Sequence, residues 1–113
     1  MEPRLPAHLE VAGLIRAVEA AGGFAAVLRK GEREAGTILV LTIQSGTNGR
    51  LFERMPSLDG QRKWHQIPFQ DTDNKEKLSE YLYRRGRQDG DLWIIELDIA
   101  NGERFIGLTG TEG

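Results

Sequence analysis

The stretch Arg84-Arg85-Gly86-Arg87-Gln88-Asp89-Gly90-Asp91-Leu92-Trp93-Ile94-Ile95-Glu96-Leu97-Asp98-Ile99 decides the fold class. Its cations and Gly86 mark the end of a helix. Positive side chains there offset the negative pole of the aligned peptide dipoles. Asp89-Gly90-Asp91 is a turn, where aspartate bonds nearby main-chain amides. Leu92 to Ile99 is then a largely buried strand. Trp93, Ile95, Leu97 and Ile99 share one face; Leu92, Ile94, Glu96 and Asp98 share the other, which turns polar halfway along. A helix feeding directly into a buried strand predicts an α+β domain.

Outward from this stretch the pattern is regular. Leu78, Tyr81 and Leu82 are the apolar stripe of the helix that ends here, with Glu80 and Arg84 one turn apart on its surface. Asp73 and Glu76 are spaced as a capping box at its start. Thr37 to Ile43 is β-branched and nearly continuous, which predicts a central strand. Asn48-Gly49 is a favoured hairpin pair. Leu51 to Met55 and Arg62 to Ile67 then complete an antiparallel meander. Near the N-terminus Val11, Leu14, Ile15 and Val18 form a helical stripe, opened by Pro6 and ended by Gly22-Gly23. Phe24 to Leu28 follows as a strand. Beyond Asn101-Gly102, Arg104 to Leu108 reads as an edge strand or as a short terminal helix.

The order is therefore α-β-β-β-β-α-β. We expect a single α+β domain over residues 1–113, with 1–4 and 109–113 as frayed tails. Its largely antiparallel sheet has about five strands, with two helices on one face. The uncovered face is then the place to look for function.

Composition bounds the chemistry. A chain of 113 residues is one domain by size. A net charge of −2 argues against a general nucleic-acid binder, which needs a basic footprint to release counterions. With no cysteine, disulfides, thiolate nucleophiles, thiolate zinc sites and iron–sulfur clusters drop out. No apolar run approaches the ~20 residues of a membrane helix, and no signal region opens the chain, so a cytoplasmic location without membrane contact is expected. Ser45, Ser57 and Ser79 lack the context of a nucleophile elbow, and neither a phosphate-loop lysine motif nor a dinucleotide fingerprint is present. No cofactor is expected.

Three groups of residues carry candidate chemistry. Arg84, Arg85 and Arg87, with Lys63 and Arg62, are a candidate binding patch for phosphate groups or an acidic partner. The competing role of the three arginines is to offset the helix dipole. Glu96 and Asp98 share a strand face, and Asp91 is a possible third oxygen ligand for a divalent metal. Aspartate before a strand is also ordinary turn chemistry. Phe52, Arg54, Lys63, Trp64 and His65 mix aromatics with cations, as stacking platforms for single strands do. Strand alternation divides them between two faces, which favours core aromatics with solvated cations between them. Gly46-Thr47-Asn48-Gly49 matches the G-x-x-G string of an RNA-binding loop but follows a strand, so it reads as a hairpin turn. His8 and His65 alone make a poor zinc site.

Four strings are also informative together: Leu5-Pro6-Ala7-His8-Leu9-Glu10-Val11, Gly22-Gly23-Phe24-Ala25-Ala26-Val27-Leu28-Arg29-Lys30-Gly31, Ala35-Gly36-Thr37-Ile38-Leu39-Val40 and Asp91-Leu92-Trp93-Ile94-Ile95-Glu96-Leu97-Asp98. With them the chain resembles the family of short bacterial proteins defined by the domain of unknown function numbered 1491, over nearly its whole length. The resemblance implies a small cytoplasmic bacterial protein with no established activity, and it carries no catalytic residue onto this chain. The residues themselves favour a small non-enzymatic binding or interaction module with a protein partner or a homodimer. A nucleic-acid contact through the basic residues and a metal-dependent hydrolase are the alternatives. Trp93 is expected in the core, on a face meeting both helical stripes.

Overall fold

A computed structural model describes residues 5–56 and 62–107, with Met55, Pro56 and Arg62 described by their backbone alone. The elements run α1 (Ala7–Ala20), β1 (Phe24–Arg29), β2 (Ile38–Gln44), β3 (Thr47–Pro56), β4 (Arg62–Ile67), α2 (Lys75–Gln88) and β5 (Trp93–Asp98), followed by a 3-10 helix at Gly102–Ile106. The α+β order matches the sequence reading. After Asn101 the short helix, not the strand, is formed. The segments 1–4 and 109–113, read as frayed tails, lie outside the described residues. No helix among the described residues is long and apolar enough to cross a membrane.

The five strands lie side by side in the order β1-β5-β2-β3-β4. β5 enters between β1 and β2, antiparallel to β1 and parallel to β2. The β2–β3 and β3–β4 pairs are antiparallel. A parallel pair cannot be closed by a hairpin, so the chain returns to β5 through a helical crossover, α2.

That crossover corrects the expectation of both helices on one face. α1 packs on the face formed by Ile38, Val40, Phe52, Trp93, Ile95 and Leu97. The α2 stripe Leu78, Tyr81 and Leu82 packs on Leu39, Leu41, Leu51, Leu92 and Ile94. Consecutive strand residues such as Leu39 and Val40 point to opposite faces. The unbroken apolar runs of β2 and β5 therefore require a cover on each side. In β2, Ile38 to Leu41 are all exposed by 2% or less. The face bearing Trp93 accordingly meets the α1 stripe only.

Three local expectations shift as well. The hairpin between β2 and β3 turns on Ser45-Gly46, at φ 52° and 78°, the positive values that a tight two-residue hairpin turn uses. Asn48, at φ 57°, is instead spent on a bulge: Gln44 pairs with Thr47, but Thr42 pairs with Arg50, leaving one extra residue on β3. The cap of α2 is Asn74, whose side-chain oxygen accepts the Lys77 main-chain N–H at 3.1 Å, in place of Asp73. Finally, Gly86 does not stop α2, which continues to Gln88. Gly86 is a notch. The Arg29 side chain crosses the helix there, and a Cβ at Gly86 would stand 2.8 Å from Arg29 Cδ and Nε.

Trp93 is in the core, 4% exposed, and its indole N–H donates to the Glu32 carbonyl at 2.7 Å. Trp93→Ala removes this bond and leaves a cavity beneath α1. The expected loss is about 3–5 kcal/mol, read from urea unfolding followed by circular dichroism. A variant retaining the wild-type midpoint would place the ring outside the core.

Candidate functional site

The arginine run does not act as one patch. Arg85 turns inward. Its Nη2 donates to Glu53 Oε2 at 2.6 Å and its Nη1 to the Tyr81 hydroxyl at 3.1 Å. Both members of the Arg85–Glu53 pair are largely buried, at 19% and 16% side-chain exposure. Burial works against the Arg85 cation, but the hydrogen bonds to Glu53 and Tyr81, with the Coulomb attraction of Glu53, outweigh it and raise its pKa. Arg85 therefore ties α2 to β3. Arg84 and Arg87 remain exposed, and Arg87 lies over the Tyr83 ring at 5.8 Å. Lys63 is exposed on β4, and the Arg62 side chain is outside the described residues.

The acids are also dispersed. The Asp98 carboxylate accepts the Ser45 main-chain N–H at 2.8 Å and so holds the β2–β3 hairpin against β5. Glu96 shares its face. Asp91 precedes the other end of the strand, about 16 Å from Glu96 at a strand's rise per residue. Among the described residues no group of three or more His, Asp or Glu stands close enough to hold a metal ion. The aromatics are structural: Phe52 is buried, and Trp64 packs on the α1-side core beneath Arg54, whose guanidinium lies 5.6 Å from the ring centroid.

What the fold does build is a groove between β1 and α2. α2 covers the middle of its sheet face but leaves the strip toward β1 open. At the C-terminal end of α2 the groove encloses about 480 Å³ over Leu28, Leu82 and Ile94, with Tyr83 on its rim and Arg29 and Arg87 beside it. Leu28 and Leu82 also line a neighbouring hollow of about 370 Å³ with Leu41, Ile43 and Leu78, where Glu96 and Lys75 stand. The floor is apolar and Arg87 sits at one end.

Two sequence features position this groove. In β1, Val27 pairs with Ile95 but Arg29 pairs with Ile94, so Leu28 is a bulged residue. Alternation already puts Leu28 on the α2 side, and the bulge turns Arg29 to that side as well. Arg29 Nη2 then donates to the carbonyls of Gly86 at 3.0 Å and Gly90 at 3.3 Å. A cation at the C-terminal end of α2 satisfies carbonyls that the helix leaves unpaired. Sequence reasoning missed Leu28, Arg29 and Tyr83 as site residues. A signal existed: Gly86 continues the Leu78–Leu82 stripe at four-residue spacing, and a glycine in a buried stripe implies a close neighbour.

With this geometry in hand, comparisons place the chain. The sequence model of a family described as "Protein of unknown function (DUF1491)" matches residues 5–107. The chain is similar to a DUF1491 family protein from Caulobacter crescentus CB15 in its crystal structure, with 36% identity, TM-score 0.79, and coverage of 92% of this chain and 96% of that one. It is similar to an NMR structure of a DUF1491 family protein from the same source at 34% identity and TM-score 0.76, covering 92% and 94%. It is also similar to the solution structure of protein Atu0922 from A. tumefaciens, at 31% identity and TM-score 0.71, covering 88% and 89%. No curated protein matches the chain.

The contrast between neighbouring arginines is directly measurable. Glu53→Ala strands the half-buried Arg85 cation and is expected to cost about 1.5–3 kcal/mol in urea unfolding. Arg84→Ala, on the solvent side, is expected to stay within about 0.5 kcal/mol of wild type. Equal effects would mean that Arg85 is not the residue anchoring α2.

Proposed function

We propose a function from the geometry, since the chain belongs to the DUF1491 family and that family carries no assigned activity: it is a small non-enzymatic interaction module. Its groove between β1 and α2 receives an apolar segment of a partner protein. The observation that carries this reading is the groove itself, two adjoining hollows that share the apolar side chains Leu28 and Leu82, with Arg87 at one end. Exposed Tyr83 and Leu28 extend its apolar surface to the rim, and tyrosine is among the side chains that anchor interfaces most often.

The charges orient the segment. Arg87 favours an acidic residue at the C-terminal end of α2, whereas farther along Lys75 and Glu96 present both signs of charge. Arg29 is already committed to the α2 carbonyls, so its role is to shape the channel. Apolar contacts along the floor supply affinity, and the end charges supply register.

The test uses a photo-crosslinking residue at Tyr83 in otherwise native protein, exposed to a bacterial lysate. One crosslinked partner is expected. Its yield should fall at least roughly tenfold when Leu82→Glu or Arg87→Glu is added, and stay unchanged with Arg33→Glu in the distant exposed loop. Crosslinking that is absent, or indifferent to Arg87→Glu in a folded variant, contradicts the proposal.

A further inference from the structure

The two edges of the sheet differ in kind. β4 carries Lys63, His65 and Gln66 and is followed by Pro68, the polar residues and proline that discourage strand addition. β1 has β5 as its one neighbour among the described strands. Phe24 to Leu28 contains no charge and no proline. Phe24 is 76% exposed, Leu28 48% and Val27 43%. The only cation in the strand, Arg29, is folded away beneath α2. An uncharged apolar edge of this sort offers a row of main-chain donors and acceptors to another strand.

We propose that the occupant of this edge is β1 of a second copy, paired antiparallel about a two-fold axis centred on Ala26. Three features of β1 fit a copy of itself. With Ala26 opposite Ala26, Phe24 of one chain falls opposite Leu28 of the other, and Ala25 opposite Val27. Each exposed large side chain thus meets an apolar one, small against large on the α1 side. Ala25 packs toward the α1-side core, so alternation puts Phe24, Ala26 and Leu28 on the α2 side. The cross-strand pairs therefore lie on matching faces.

The third feature is charge. Lys30 directly follows β1 and the end of α1 directly precedes it, so antiparallel pairing brings Lys30 of one copy toward the end of α1 in the other. The last turn of α1 carries Glu19 and no basic residue, so its negative end lacks a cation from its own helix. Lys30 of the second copy supplies one, twice in each dimer. An antiparallel two-fold of this kind runs perpendicular to the sheet. It makes one ten-stranded sheet with both α2 helices on the same face, and it sets the two β1–α2 grooves next to each other across the Phe24–Leu28 contacts. The pairing goes beyond the groove reading and does not rest on it.

Light scattering on the full chain over a wide concentration range tests the pairing. The mass is expected to rise from the 12.6 kDa of one chain toward twice that value. Phe24→Asp, at an exposed position, should keep wild-type circular dichroism and cooperative melting but remain at the single-chain mass throughout. Lys30→Glu should weaken the dimer a few-fold, and adding Glu19→Lys should restore it. A single-chain mass for the wild type at every concentration overturns the proposal, as does a dimer indifferent to Phe24→Asp or a charge reversal that is not rescued. Leu28 belongs to both the groove and the pairing, but Phe24 and Lys30, the residues varied, do not line the groove, so the mass measurement stands whether or not a partner crosslinks there.

Discussion

β5 must be hydrogen-bonded on both sides, buried along the whole of one face and covered over Leu92 and Ile94 on the other, and the rest of the structure follows from that. Trp93, Ile95 and Leu97 need one cover; Leu92 and Ile94 need another. Its two flanks are filled by β1 and β2. Because β2 runs parallel to it, the chain cannot enter β5 from a hairpin and must cross the sheet first. α2 is that crossing, and it covers the Leu92 face as it goes. α1 is left with the other face. A small domain holds together by a margin of only about 5–15 kcal/mol, so concentrating its apolar side chains around one central pair of strands matters.

The same arrangement decides where the surface is unfinished. α2 is docked at its C-terminal half by two arginines from opposite directions, Arg85 reaching to β3 and Arg29 reaching from β1. Between these ties the helix lies over β2 and β5, and the strip beside β1 stays open. β1 is thus exposed twice: its face lines a groove, and its outer edge is unpaired among the described strands. A bulge at Leu28 and a notch at Gly86 are small departures from regular geometry. Together they turn a cation inward and keep the rim of the groove apolar.

Much of the fold was legible in the sequence because it depends on periodicity. The stripes Val11-Leu14-Ile15-Val18 and Leu78-Tyr81-Leu82, and the continuous run in β2, report which side chains are buried. They do not report what buries them. Strand order and the side taken by each helix arise from pairing β5 beside β2, between residues some fifty positions apart, and no local pattern encodes that. The hairpin was misplaced because Ser45-Gly46 and Asn48-Gly49 are both competent at positive φ, and the bulge uses the second. At the candidate site, Arg87 and Glu96 were visible as charged residues, though read into a phosphate patch and a metal cluster. Arg85 looked like its neighbours until Glu53, on another strand, claimed it. Arg29 was hidden because the bulge breaks, just after Leu28, the alternation that strand reading assumes.

Amide hydrogen exchange under native conditions addresses the place of β5 most directly. Amides of β5 from Ile94 to Leu97 are expected to exchange only through global unfolding, with the same free energy of opening as those of Val40 and Leu41 in β2, while the outer strand β4 opens at lower cost. If the β5 amides exchanged through local opening, as fast as or faster than those of β4, β5 would be a margin of the sheet and the account would be wrong at its centre.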